Sequence, residues 1–142
     1  MTREERLPRI GDVFFMRFGG DGSEQNGWRP GLVFQNNIGN RHSPNIIALP
    51  LTSSIKKTGQ PTHVFLPASN TGLPRDSIVL CENPERMSKD RIGRFITSLS
   101  DAHMKKIATA SLLATSAISY IDPEALIGIW ERARSLNATP VA

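Results

Sequence analysis

Arg29 is the residue of this sequence best suited to chemistry on a phosphate. It stands in Gly27-Trp28-Arg29-Pro30, where a glycine-rich stretch runs into an apolar segment, Gly31 to Gln35. A guanidinium stays charged at neutral pH and offers five donors in a planar fork, which suits phosphate oxygens. A strand end preceded by a loop is a common mount for such a group. Taken alone, Arg29 reads more readily as an ordinary surface arginine covering Trp28, so its meaning depends on the rest of the chain. Thr52 is the candidate partner, at the tail of the third predicted strand. If the second and third strands are antiparallel neighbours, Arg29 and Thr52 lie at the same edge of the sheet and face one pocket. The predicted flap, Ser23 to Gly27, lies over it. An arginine and a hydroxyl converging there can hold a phosphodiester and stabilise a pentacovalent transition state.

Other chemistries find less support. His42, His63, His103 and Cys81 are scattered, and no pair has metal-ligand spacing. No Gly-x-Ser-x-Gly is present, and Cys81 sits in an apolar strand as expected of inert core. No dinucleotide fingerprint occurs. The loop Gly19-Gly20-Asp21-Gly22 lacks the lysine of a P-loop and no helix follows, so it reads as part of a flexible flap. A paired-carboxylate site would require Asp12, Glu24, Asp76 or Glu82 to meet in space, yet each is equally readable as a solvated charge.

The elements that must position these groups follow from pattern. The chain has 142 residues, 39% hydrophobic and 21% charged, which implies one globular domain. Its net charge is +4 and its pI about 9.7, a balance that fits a polyanionic partner without demanding one. A single cysteine excludes an intrachain disulfide. No apolar run approaches the ~18 residues of a membrane span. The start lacks a signal-peptide core, so the protein reads as cytoplasmic.

Residues 1–9 form a polar tail expected to fray in part. Six short strands follow: Val13 to Phe18, Pro30 to Gln35, Asn45 to Leu51, Thr62 to Leu66, Ser77 to Glu82 and Ile92 to Ser98. Pro50 implies an edge or a strand terminus. Asn36 to Pro44 reads as turns, and Pro84 to Asp90 as irregular with at most a helical turn. The period then changes. Ser100 is a good N-cap, and apolar residues recur at helical spacing from Met104 to Ile118, predicting a helix to about Ser119. Asp122-Pro123 opens a second helix with Leu126, Ile127 and Trp130 as its stripe. The pattern predicts a mainly β domain, a small barrel or curled sheet closed by C-terminal helices.

Several segments together resemble one family. Ser23-Glu24-Gln25-x-Gly27-x-Arg29-Pro30-x-Leu32-Val33 is similar to the start of the MazF/PemK toxins, endoribonucleases of bacterial type II toxin–antitoxin systems. Gln35-Asn36-Asn37-Ile38-Gly39-Asn40, Leu51-Thr52-Ser53, Pro61-Thr62-His63-Val64, Leu73-Pro74-Arg75-Asp76-Ser77 and Ile96-Thr97-x-Leu99-x-Asp101 extend the likeness in the right order. It covers about Ile10 to Ile118, giving a toxin domain at 10–121 and an extra helix and tail at 122–142. The resemblance implies a small SH3-like β-barrel and a homodimer. It also implies metal-independent, cofactor-free cleavage of single-stranded RNA at short sequences, by attack of a ribose 2′-hydroxyl, and a cognate antitoxin protein that blocks the RNA groove.

By the same resemblance, Arg29 and Thr52 are the catalytic pair. Substrate binding is expected of Ser23, Glu24, Gln25, Trp28, Ser53, Glu82 and Asn83. A guanidinium is a poor general base, so Arg29 is assigned to charge stabilisation, with Thr52 positioning the scissile phosphate. The base is Glu24, a substrate-assisted route, or no strong base. Trp28 reads as a base-stacking platform or as groove wall, and His63 as structural. Two departures stand out. Many family members carry Gln-x-Arg-Thr where this chain has Pro84-Glu85-Arg86-Met87, so the target sequence does not carry over. The helix from Pro123 is an addition whose stripe must pack on its own barrel, in the dimer interface or on the antitoxin. The rival reading is a non-enzymatic barrel toxin that poisons a protein such as DNA gyrase, for which an intact Arg29–Thr52 pair has no use. A degenerate member kept as an RNA- or peptide-binding module is the third.

Overall fold

A computed structural model describes residues 6–19, 27–55 and 59–137. Seven strands and three helices follow in the order β1 (Asp12–Phe18), β2 (Gly27–Val33), α1 (Asn37–His42), β3 (Asn45–Thr52), β4 (His63–Leu66), β5 (Ser77–Leu80), β6 (Glu85–Ser88), β7 (Ile92–Ser98), α2 (Asp101–Ala114) and α3 (Pro123–Asn137). The strands form one antiparallel sheet in the order β4-β5-β3-β2-β1-β7, with β6 pairing β3. Among the described residues the path does not close, and β4 and β7 are its ends. The expected class therefore holds, as a curled sheet with C-terminal helices rather than a sealed barrel.

The sheet is apolar on both faces because its middle strands are covered twice. Leu32, Leu49, Leu51, Val64, Leu66, Val79 and Cys81 pack with Ile107 and Ala110 of α2. Phe14, Met16, Phe18, Val33, Ile46, Ala48 and Met87 form the second core. Successive side chains alternate across a strand, so Leu32 and Val33 serve different cores. Gly31 is a close-approach residue. A methyl group there would stand 2.5 Å from Met16 Sδ and 2.9 Å from Phe18 Cζ, so only glycine lets β2 meet β1 over those side chains.

Pro50 lies within central β3, not at an edge. Phe34 N–H donates to Ile47 O across β2 and β3. Hydrogen-bonded and non-bonded pairs alternate in an antiparallel ladder, so the Gly31–Pro50 pair is a non-bonded one. The proline nitrogen faces away from β2. On that other side β3 pairs β6 through Asn45–Ala48 and β5 through Leu51 and Thr52, and Pro50 falls between the two.

Three local expectations are corrected. The Asn36 to Pro44 connection contains α1, because its polar residues cap and cross-link the chain. Gly39 N–H donates to Asn36 Oδ1 at 2.9 Å. Buried Asn37 accepts from Ile10 N–H at 2.8 Å and from Asn40 Nδ2 at 3.1 Å. Glu85–Ser88, expected to be irregular, is a strand because its only buried side chain, Met87, has a core to enter. The long helix stops at Ala114, since Ser116 takes a left-handed φ of 58°, and a 3-10 turn covers Ala117–Tyr120.

The polar N-terminal tail is held from Arg6 onward. Arg6 reaches Asp12 at 3.2 Å and lies 3.8 Å over the Phe95 ring, while Pro8 is buried. α3 buries no side chain of its own and is tied at its last residue. Asn137 accepts from Asn37 N–H at 3.3 Å and, through its carbonyl, from Asn37 Nδ2 at 3.0 Å. No described helix is long and apolar enough to cross a membrane.

Candidate active site

Arg29 and Thr52 line the same cavity, about 460 Å³ in volume. Arg29 is not at the head of its strand, as expected, but is the third residue of β2, paired with Met16 of β1. Thr52 is the last residue of β3 and pairs Ile78. The recorded β2–β3 ladder stops at Gly31–Pro50. Both residues lie just beyond its end, where β3 pairs β5 instead, and the cavity is what brings them together. Thr52 Oγ1 accepts a hydrogen bond from Ser54 N–H at 3.1 Å. With one lone pair occupied by that donor, the hydroxyl proton remains available to point into the cavity.

The remaining walls come from four places. Trp28 and Pro30 flank Arg29 on β2, and Leu51 and Ser53 flank Thr52. Pro74, Arg75 and Ser77 enter from the turn that leads into β5, and Phe15 and Arg94 from β1 and β7. Three guanidinium-bearing residues therefore meet here, and no carboxylate or imidazole lines the cavity among the described residues. Such a lining attracts a polyanion and excludes a paired-acid mechanism from the described walls. Arg75 and Arg94 carried no sequence signal as site residues. Arg75 stood inside a quoted motif without an assigned role, and Arg94 looked like one more polar position in a strand.

Trp28 is 57% exposed, and its ring rests against β7. A methyl group placed on Gly93 would lie 2.9 Å from Trp28 Cζ3 and 3.0 Å from Phe15 O. Gly93 is thus the seat that lets the indole lie on the strand with its outer face to solvent. Ser53 is exposed at the cavity's edge.

Other expected site residues lie elsewhere. Glu82 and Asn83 do not line the cavity. Glu82 Oε2 is 2.7 Å from His63 Nε2, beyond the far end of β5 from Ser77. Ser77 is the first residue of β5 and Glu82 lies two residues past its last, so the whole strand stands between them. His63 is largely buried in this pair, in keeping with a structural part. Ser23, Glu24 and Gln25 lie outside the described residues.

The described carboxylates considered for a paired site are each engaged separately. Asp12 accepts from Ser98 Oγ at 2.6 Å and from Arg6, and Asp76 accepts from Ala68 N–H at 2.7 Å. Among the described residues no group of three His, Cys, Asp or Glu side chains stands close enough to hold a metal ion. Cys81 is buried, and burial pushes its thiol up from 9.0 to about 11, so it is an inert core group rather than a nucleophile.

Residues 9–113 match the sequence profile of the family described as PemK-like, MazF-like toxin of type II toxin–antitoxin system. The chain is 41% identical over 115 residues to Endoribonuclease EndoA of Bacillus subtilis, which covers 80% of this chain and 99% of that protein. It is 39% identical over 105 residues to Endoribonuclease MazF of Staphylococcus saprophyticus, covering 73% of this chain and 88% of the relative. Among solved structures, an endoribonuclease in complex with its cognate antitoxin from Mycobacterial species superposes with a TM-score of 0.64. It shares 30% sequence identity and covers 77% of this chain and 95% of its own. The profile match ends within α2, so α3 lies beyond it.

Proposed function

The chain belongs to the PemK-like, MazF-like toxins of type II toxin–antitoxin systems, and we propose that it is an endoribonuclease that cleaves single-stranded RNA without a metal ion. The observation that carries this reading is the shared cavity of Arg29 and Thr52, lined with two further arginines and, among the described residues, no acid.

In the proposed reaction the ribose 2′-oxygen attacks the adjacent phosphorus. The new P–O2′ bond forms as the P–O5′ bond breaks, which leaves a 2′,3′-cyclic phosphate and a 5′-hydroxyl. The Arg29 guanidinium faces the phosphoryl oxygens, where negative charge grows in the pentacovalent transition state, and donates to the departing 5′-oxygen. Thr52, with its oxygen held by Ser54 N–H, turns its proton to a non-bridging oxygen and fixes the linkage against Arg29. No described wall residue can take the 2′-hydroxyl proton, so Glu24, in the segment between β1 and β2, is the chain's own candidate. Reaction with a weak base or none is slow, which suits a growth-limiting toxin. Trp28 offers its solvent-facing ring to an unpaired base, and Ser53 a polar contact beside the phosphate.

The toxin acts as a homodimer in the cytoplasm, where its substrate is mRNA, and a cognate antitoxin occupies the same groove to silence it. The relative solved with its antitoxin supports the antitoxin, and the basic cavity supports a polyanionic substrate. Purified protein incubated with single-stranded RNA in EDTA, beside the Arg29→Ala variant, tests the proposal. Cleavage by the wild type should exceed that of the variant by at least about 100-fold, the usual effect of losing one key donor to a developing charge. Equal cleavage by both, or inhibition of DNA gyrase without any cleavage, would reject it.

A further inference from the structure

We propose that Arg94 is a substrate-positioning residue that holds the phosphate flanking the scissile linkage, aimed there by a β-bulge. This inference rests on the ribonuclease reading of the same cavity.

The bulge is visible in the register. Phe14 pairs Phe95 and Met16 pairs Ile92. Between these pairs β1 has one residue, Phe15, and β7 has two, Gly93 and Arg94. An extra residue bends a strand and re-aims a side chain, and bulges gather beside active sites. Here the consequence is specific. The Arg94 guanidinium carbon lies 4.2 Å from the centroid of the Phe15 ring, and both residues line the cavity. A guanidinium laid on an aromatic face keeps its in-plane N–H donors pointing outward, free to meet an anion. Gly93, the other bulge residue, receives the Trp28 ring. The same bulge therefore seats an aromatic platform and a cation side by side.

The placement decides which phosphate is met. Arg29 and Thr52 belong to adjacent strands and converge on one linkage. Arg94 is pinned over β1, two strands from β3 in the sheet order. Adjacent strands stand about 4.8 Å apart, so Phe15 and Thr52 are separated by about 10 Å of sheet. Held over β1 by Phe15, with β2 between it and Thr52, Arg94 is assigned the next phosphate along an RNA strand that runs across β3, β2 and β1.

The experiment compares Arg94→Ala, Arg94→Lys and Phe15→Leu with wild type, in steady-state cleavage and in binding to a 2′-O-methyl single-stranded RNA, which lacks the attacking hydroxyl. Loss of one phosphate contact should reduce the slope of log affinity against log salt by about 0.7 in Arg94→Ala. KM should rise about tenfold with kcat within about threefold, the pattern of lost ground-state binding. Arg94→Lys should restore the salt slope but only part of KM, since it keeps the charge without the planar stack. Phe15→Leu should raise KM less than Arg94→Ala and leave the slope intact. Wild-type KM and salt slope in Arg94→Ala would overturn the assignment. So would a loss confined to kcat, which would make Arg94 a transition-state contact. If the wild type cuts no RNA, the ribonuclease reading fails instead, while the salt slope of binding still reports on Arg94.

Discussion

Replacing Gly93 by alanine should loosen the platform on which Trp28 lies, and the cost can be worked out from the contacts. The new methyl group would stand 2.9 Å from Trp28 Cζ3 and 3.0 Å from Phe15 O. The indole, at 2.9 Å, must shift off the strand, whereas the Phe15 carbonyl, at 3.0 Å, has to give by only a few tenths of an ångström. Overpacking of this kind costs about 1–3 kcal/mol. Against it, the φ of Gly93 is not positive, so alanine fits the backbone and gains about 0.5 kcal/mol by restricting the unfolded chain. The net expectation is a loss of about 1.5 kcal/mol, or about 4 °C in Tm for a chain of this size.

The partition is the sharper test. In a Trp28→Ala background the closest clash is gone, and Gly93→Ala should cost about 0.5 kcal/mol or less. The coupling across the double-mutant cycle is then about 1 kcal/mol. Urea denaturation measures all four proteins, and the m-values should agree. Only two tryptophans are present, so a Trp130→Phe background isolates Trp28 emission, which should shift to the red in Gly93→Ala. An alanine variant as stable as wild type with unchanged emission, or an equal cost in both backgrounds, would refute the claim that the indole is seated on this glycine.

Other expectations follow from single contacts. Thr52→Val keeps the shape but loses the hydroxyl; kcat should fall by about 10–100-fold, while the melting curve shows a change within about 1 kcal/mol. For Cys81, burial makes the folded state hold the thiol proton more tightly than the unfolded chain does. Its contribution is fully present below pH 9 and is lost as pH rises toward 11. Wild type should therefore lose on the order of 2 kcal/mol across that window, read by denaturation at each pH, that Cys81→Ala does not lose. Deleting residues 122–142 removes a helix that buries no side chain and two hydrogen bonds to Asn37. It should cost no more than about 2 kcal/mol in a denaturant titration and leave kcat/KM for RNA near the full-length value.

Much of the fold is readable from pattern because most of its elements are locally consistent. Val13 to Phe18 has β-forming residues and two apolar faces, and it proves to be an inner strand between β2 and β7. Ser100 marks the start of α2 and accepts from His103 N–H, as a cap should. Segments whose structure is dictated from outside depart from their local pattern. Residues 37–42 have turn-forming character, yet a network of buried amides winds them into α1. Glu85–Ser88 has almost no strand pattern and pairs only because β3 offers an edge.

The amino-acid order alone pointed to Arg29 and Thr52 at one edge of the sheet, and both residues line one cavity, although the β2–β3 ladder stops short of them. It carried the family as well, through motifs spread over most of the chain. Folding decided what else shares the cavity. Arg75 and Arg94 come from the turn before β5 and from β7, far from Arg29 in sequence, and reach it only because the sheet curls. Nor does anything in Gly93-Arg94 announce a bulge, since one extra residue in a strand is defined solely by the partner it fails to match. Glu82 stands away from the cavity for the same reason: its place just past β5 is set by pairing between β4 and β5, a non-local contact with no trace in the spacing of side chains.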